Sequence, residues 1–410
     1  MALTNGNLAL SIVGLVVAGV VTVVALVTLY LCAKAKAAVK MHRQQESKCG
    51  HRDTSISITS GGNTPVAVNE PILEMGSMSY FIEGVQNERP VRFSSEQLRG
   101  FTQGFAHRVG SGGFGVVYKG RFPNGAPVAV KVLNSTLGRR AEEQFMAEVG
   151  TIGRTYHINL VRLYGFCFDA AVKALVYEYM ENGSLDRHLF GSPPETAIGF
   201  DKLHEIAVGT AKAVRYLHEE CQHRIIHYDI KPENVLLDAG MAPKVSDFGL
   251  AKLCDREDTH LTITGARGTP GYAAPELWMP LPVTHKCDVY SYGMLLFEML
   301  GRRRNLELGL HSRESQEWYP RWVWHRFEAG EMDAVLARAM AAGDMDYTEK
   351  ASRMCKVAPW CVQYRAEDRP SMGNVVRMLE GEEQIAAPGN PVRAFGALQP
   401  WRDTVGLVWH

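Results

Sequence analysis

Polar and apolar positions divide the chain into segments of different kinds. No charged residue occurs between Leu8 and Cys32, a run of about 25 positions, which at ~1.5 Å rise per residue exceeds a ~30 Å hydrocarbon core. Lys34, Lys36, Lys40 and Arg43 follow it closely. Such a flank reads as a stop-transfer signal and places the rest of the chain in the cytosol. A cleaved signal peptide is the competing reading; the missing basic leader and the length of the apolar run stand against it. Residues 33–99 show no sustained period and carry the polar cluster SISITSGGNT, as expected of a juxtamembrane linker.

Beyond residue 100 the pattern changes twice. Around Lys131 the period is two, with Val128, Val130 and Val132 on one face and Ala129, Lys131 and Leu133 on the other. A helical period follows. Phe145, Val149 and Ile152 recur at i, i+4 and i+7 with Glu148 beside them, so this glutamate points inward and needs a cation, for which Lys131 is available. Leu203, Ile206, Ala207, Thr210, Ala211, Val214 and Leu217 form a longer stripe, and Tyr290 to Leu300 is apolar nearly all round, as a buried central helix would be. A strand-rich piece followed by a helix-rich one predicts an α+β fold. The expected division is an outer N-terminus at 1–7, a transmembrane helix at 8–32, a linker at 33–99, one globular domain at 100–380 and a fraying, proline-containing tail at 381–410.

Composition changes this picture little. With 44 basic and 44 acidic residues the chain has no net charge, so nothing marks it for nucleic acid. Its 8 cysteines are scattered, without the pairing of zinc sites or the density of a disulfide scaffold.

The chemistry lies in five motifs in order: GSGGFGVVYKG, VAVKVL, HYDIKPEN, SDFGL and AAPE. Gly110, Ser111, Gly112, Gly113, Phe114 and Gly115 make a loop able to lie close over phosphates, with Val117 positioned to cap a base. Dinucleotide-binding folds use the same glycine pattern, but there an acidic ribose-binding residue follows, and here a strand lysine does. Together the motifs resemble those of a protein kinase.

That resemblance implies a bilobal fold, a small β-rich N-lobe with one regulatory helix and a larger helical C-lobe, preceded by the single transmembrane helix. It implies ATP as phosphoryl donor and Mg2+, or Mn2+, as the metal. By it Lys131 holds the phosphates and Glu148 fixes Lys131, while Ala129 leaves room for the base. Asp229 accepts the proton of the substrate hydroxyl, and Asn234 and Asp247 bind the metal. Lys231 matches the serine/threonine form of this loop. Tyr177 is the gatekeeper, and Glu178 to Met180 form the hinge that binds adenine. Thr269 shapes the substrate loop, Glu276 pairs structurally with Arg369, and His227 is a scaffold residue.

Over about residues 93–379 the chain most resembles plant receptor-like kinases related to the interleukin-receptor-associated and Pelle kinases. The segments NLVRLYGFC, LVYEYMENGSLDRHLF, GTPGYAAPE, THKCDVYSYGMLLFEML and DRPSM carry that likeness. Among these it looks like the leaf-rust-resistance-kinase-like group. The likeness implies a single-pass plasma-membrane kinase acting on protein substrates in receptor-like signalling, with a partner receptor reached through the transmembrane helix or an ectodomain carried by a longer form. Tyr228 departs from the pattern, standing where most kinases have arginine before the catalytic aspartate. The arginine's charge-assisted bond to an activation-loop phosphate is then lost, and Thr259, Thr262 and Thr264 are expected to matter little. A pseudokinase-like scaffold that binds ATP and partners with little transfer is the alternative function.

Overall fold

The computed structural model describes residues 90–391 except 114, 135–137, 170–171, 192–197, 258–266, 280, 306–318, 332 and 336–347. The apolar run at 8–32, nearly all of the linker, Phe114, Thr259, Thr262, Thr264 and the tail after 391 lie outside the described residues.

The N-lobe comprises β1 (Val91–Arg92), α1 (Ser95–Phe101), β2 (Arg108–Gly112), β3 (Gly115–Arg121), β4 (Pro127–Leu133), α2 (Arg139–Thr151), β5 (Leu163–Phe168) and β6 (Lys173–Glu178). Its strands form one sheet in the order β1-β5-β6-β4-β3-β2. The alternation along β4 decides what faces where. Val128 and Val130 are fully buried in a cluster with Phe93, Leu98, Phe101 and Phe122, each such aliphatic side chain contributing roughly 1.5–3 kcal/mol. Lys131 points to the other face, with Val117 opposite it on β3 and Leu175 opposite it on β6.

The folded part begins earlier than residue 100. β1 runs parallel to β5 with Val91 opposite Gly165, where a Cβ would come within 2.2 Å of the Val91 carbonyl oxygen. At the start of α1 the Ser94 hydroxyl accepts from the Gln97 N–H at 3.2 Å, and the Gln97 side chain accepts from the Ser94 N–H at 2.8 Å, a reciprocal cap. Phe93 and Leu98 are buried, and Phe93 meets Phe101 edge-on at 5.4 Å. Residues 91–99 therefore belong to the lobe and not to the linker. A two-residue strand and a seven-residue helix are too short to display a period.

The C-lobe comprises β7 (Gly183–Ser184), α3 (Leu185–Phe190), α4 (Phe200–Arg215), β8 (Arg224–Ile226), β9 (Val235–Leu237), β10 (Pro243–Val245), β11 (Lys252–Cys254), α5 (Lys286–Gly301), α6 (Tyr319–Glu328), α7 (Thr348–Cys361) and α8 (Met372–Glu380). Every residue of α5 from Cys287 to Gly301 is buried, with α4 and α7 packed against it. The stripe from Leu203 to Leu217 on α4 and the turn after it is buried as its spacing predicts. Residues 381–391 lie against the C-lobe. The Trp360 indole donates to the Ala386 carbonyl at 3.0 Å, the Gln363 amide donates to the Gly389 carbonyl at 2.8 Å, and Pro388 and Pro391 are buried. The prolines that erase periodicity there also lack N–H groups to satisfy, which suits them to packing without regular structure.

Candidate active site

The inner face of the N-lobe sheet and the loops after β8 and β10 bring the motifs together. Lys131 Nζ lies 2.6 Å from Glu148 Oε1 and 2.8 Å from Asp247 Oδ1. Helix α2 can deliver Glu148 because Phe145 and Ile152, about one turn to either side, are buried and fix its rotation. Burial alone would lower the pKa of Lys131, but Asp247 and Glu148 overcome it and hold the ammonium raised. Burial likewise works against the Asp247 carboxylate, which Lys131 nevertheless keeps below the ordinary range. The site thus carries a fixed positive charge beside a fixed negative one. The Tyr177 hydroxyl donates to Glu148 Oε2. Sequence reasoning missed this contact, although an inward carboxylate with two oxygens and one cation leaves an acceptor to be filled.

Gly110, Ser111 and Gly112 lie in β2, Gly113 in the turn, and Gly115 opens β3 with φ 155°, where a Cβ would meet the Val132 carbonyl oxygen at 2.2 Å. Val117, Ala129, Lys131 and Tyr177 share one face, since Val117 pairs with Lys131 and Ala129 with Tyr177. Met180 is buried just beyond. Glu178 Oε1 accepts from the Arg162 N–H at 2.7 Å and from Lys244 at 3.0 Å.

The loop after β8 is held from below. α4 widens into a π turn at Tyr216–Glu220, a local distortion common at functional sites, which turns His218 inward to meet Asp288 Oδ2 at 2.9 Å. The same oxygen accepts from the His227 N–H at 2.8 Å, and Oδ1 accepts from the Tyr228 N–H at 2.8 Å. Burial disfavours the Asp288 charge, yet these donors hold its pKa low. Tyr228 has φ 66°, a left-handed conformation costly for a bulky residue, and the Asp288 clamp holds it there. Asp288 escaped sequence reasoning. An acid near the start of the largely apolar helix α5 was the available signal.

Asp229 is 4% exposed and fully engaged. The Asn234 amide donates to its carbonyl at 2.8 Å and to Oδ2 at 2.9 Å, Lys231 Nζ stands 2.8 Å from Oδ2, and the Thr269 hydroxyl donates to Oδ1 at 2.5 Å. Lys231 also donates to Thr269 Oγ1 at 2.7 Å. The His227 Nδ1 accepts from the Asp229 N–H at 3.2 Å, and Nε2 faces the Ser246 carbonyl at 3.0 Å. Both ring nitrogens are therefore occupied. Away from the cleft, Arg369 meets Glu276 through two contacts of 2.6 and 2.9 Å and donates to the carbonyls of Gln363, Lys286 and Tyr364, a bidentate geometry specific to guanidinium.

The donor set fits Mg2+. Asn234 spends its amide nitrogen on Asp229 and keeps its carbonyl oxygen, and Asp247 has only Oδ1 on Lys131; hard oxygens of this kind, completed by phosphate and water, are what Mg2+ takes. Among the described residues no three His, Cys, Asp or Glu side chains gather into a metal cage.

Residues 104–379 match the family model "Protein tyrosine and serine/threonine kinase". The chain is 44% identical over 299 residues to a G-type lectin S-receptor-like serine/threonine-protein kinase of Arabidopsis thaliana, covering 73% of this chain and 36% of that protein. It is 42% identical over 317 residues to the rust resistance kinase Lr10 of Triticum aestivum, covering 76% and 49%. A leaf rust 10 disease-resistance locus receptor-like protein kinase-like protein of Arabidopsis thaliana is 43% identical over 305 residues, covering 73% and 47%. The chain thus spans half or less of the length of these relatives. With the Lys131, Asp229 and Asp247 geometry set within the matched region, the chain belongs to the protein kinase family.

Proposed function

We propose that this protein is a serine/threonine kinase that transfers the γ-phosphoryl group of ATP to serine or threonine hydroxyls of protein substrates. The observation that carries this is Lys131 held between Glu148 and Asp247, in one cleft with Asp229. In this reading Lys131 grips the phosphates, and the Gly110–Gly115 loop covers them with backbone N–H groups. Asp229, oriented by Asn234 and Thr269, receives the proton as the substrate hydroxyl oxygen bonds to phosphorus and the bond to the ADP oxygen breaks. Lys231, 2.8 Å from Asp229, offers positive charge where the phosphoryl oxygens pass. Asn234 and Asp247 would hold Mg2+, which supplies charge neutralisation on the phosphates. The test incubates the full chain with labelled ATP, Mg2+ and casein, then separates the phosphoamino acids. Phosphoserine or phosphothreonine is expected; phosphotyrosine alone would overturn the acceptor assignment.

The 8–32 apolar run and the receptor-like names of the relatives support a single-pass membrane anchor with the kinase domain cytosolic. Among the described residues no helix is long and apolar enough to cross a membrane. The names of the rust-resistance relatives support a place in receptor-like defence signalling. Resistance of the protein to alkaline carbonate extraction is the expected result, and its release would overturn the anchor.

A further inference from the structure

Three carboxylates from three elements meet beside the catalytic loop and share one cation. Arg304, just past the end of α5, places Nη1 2.6 Å from Glu233 Oε1 and 4.0 Å from Glu298 Oε2, and Nη2 4.0 Å from Asp186 Oδ2. It also donates to the Tyr272 hydroxyl at 3.2 Å, and its guanidinium lies 4.1 Å from the centre of the Phe190 ring. The cluster touches both walls that hold Asp229. Glu233 lies between Pro232 and Asn234, and Asn234 donates to Asp229 Oδ2. Tyr272 lies three residues beyond Thr269, which donates to Asp229 Oδ1.

The charge count is uneven. Glu298 is satisfied by the Tyr272 hydroxyl at 2.6 Å and the Asn305 N–H at 2.9 Å. Glu233 Oε2 and Asp186 Oδ1 are buried and have no hydrogen-bond partner among the described residues. Without Arg304 the carboxylates of Asp186 and Glu233 would stand near the Asp229 loop with no other cation ion-paired to them among the described residues, an arrangement that attracts lysine or arginine. Arg304 and Glu233 are each only about a third exposed (36% of each side chain), so the pair is reachable from solvent yet held in place.

We propose that Arg304 is a specificity-determining residue, a resident cation that fills the acidic subsite beside Asp229 and so directs the enzyme to acceptor segments lacking a neighbouring basic side chain. This rests on the kinase reading above. A basic residue on the substrate would meet a like charge already paired with Glu233 and would have to displace it, which is discrimination by repulsion. Lining the subsite with a residue of the chain itself also stacks the guanidinium on Phe190, where a mobile peptide side chain would lose rotamer freedom to do the same.

The test uses identical serine peptides with one arginine moved through the four positions before the acceptor, and an all-alanine control. Turnover is measured with wild type, Arg304→Gln and Arg304→Met, and peptide affinity is measured separately with the full chain carrying Asp229→Asn, with and without Arg304→Gln. Wild type is expected to gain less than about threefold in kcat/KM from any arginine, and the Arg304 variants at least about tenfold at one position. Adding Glu233→Gln to Arg304→Gln should abolish that gain. Equal arginine preference before and after substitution, in folded protein as judged by Tm, would overturn the proposal, as would a strong preference in wild type. Failure of all transfer would count against the kinase reading, and the affinity comparison would still decide this one.

Discussion

The Thr269 hydroxyl donates to Asp229 Oδ1 at 2.5 Å while accepting from Lys231 at 2.7 Å. The segment that carries Thr269 is thereby tied through its own hydroxyl to the carboxylate proposed to receive the proton. A hydrogen bond to a charged group is worth about 1.5–3 kcal/mol, roughly ten- to a hundredfold in rate if it is made fully in the transition state. Thr269→Ala should lower kcat by that range and Thr269→Ser should restore most of it. Steady-state kinetics on one peptide checks this; equal loss in both variants would mean that the methyl group matters and the hydroxyl does not.

Tyr228 fills the place of the usual arginine as a packed ring, 1% exposed, with its hydroxyl unpartnered among the described residues. Arg267 lies 5.8 Å from the centre of that ring and donates to the Leu250 carbonyl at 3.2 Å. This packing puts a neutral ring and hydroxyl, and no guanidinium, at the position before Asp229. Replacing Thr259, Thr262 and Thr264 together by alanine should change the rate on an added substrate only a few-fold, with dephosphorylated protein as starting material. Tyr228→Phe should leave Tm unchanged or raise it, because an unsatisfied buried hydroxyl costs stability. Tyr228→Ala should cost about 3–5 kcal/mol, as aromatic-to-alanine changes in cores do. A dead triple mutant would show that loop phosphorylation controls the enzyme after all.

Glu298 gives a pH dependence of defined sign. Burial pushes its carboxyl up to about 7, against hydrogen bonds from Tyr272 and Asn305. The folded state therefore binds a proton that the unfolded chain, with an ordinary carboxyl near 4.5, has released. Its contribution is fully present below pH 4.5 and is lost as pH rises toward about 7. In Glu298→Gln the fall in Tm between pH 5 and pH 7.5 should be smaller than in wild type by several degrees. An unchanged difference would place the carboxyl pKa in its ordinary range.

Local periodicity exposed what is set locally. The strand alternation at Lys131, the turn of helix that carries Glu148 and the buried stripe from Leu203 to Leu217 each repeat one pattern over enough residues to be read. The resemblance of the motifs to those of protein kinases named Asp229, Asn234, Asp247 and Thr269, of which the structure bonds Asn234 and Thr269 to Asp229. The rest depends on contacts distant in sequence. Asp288 serves backbone N–H groups about sixty residues earlier (60 and 61 positions), and Tyr177 reaches Glu148 from another element. The Arg304 cluster joins four separated segments. β1 and α1 were missed for their shortness, and residues 381–391 because they pack without a repeat.

The central claim is that Lys131 and Asp247 are the charges through which this cleft moves a phosphoryl group. Its most direct measurement is autophosphorylation and casein phosphorylation by the purified full chain carrying Asp247→Asn or Lys131→Met, with Tm measured alongside. Both variants are predicted to stay folded, Lys131→Met with the lower Tm because Glu148 loses its cation, and to lose transfer by orders of magnitude. Transfer at the wild-type rate in either folded variant would contradict the account.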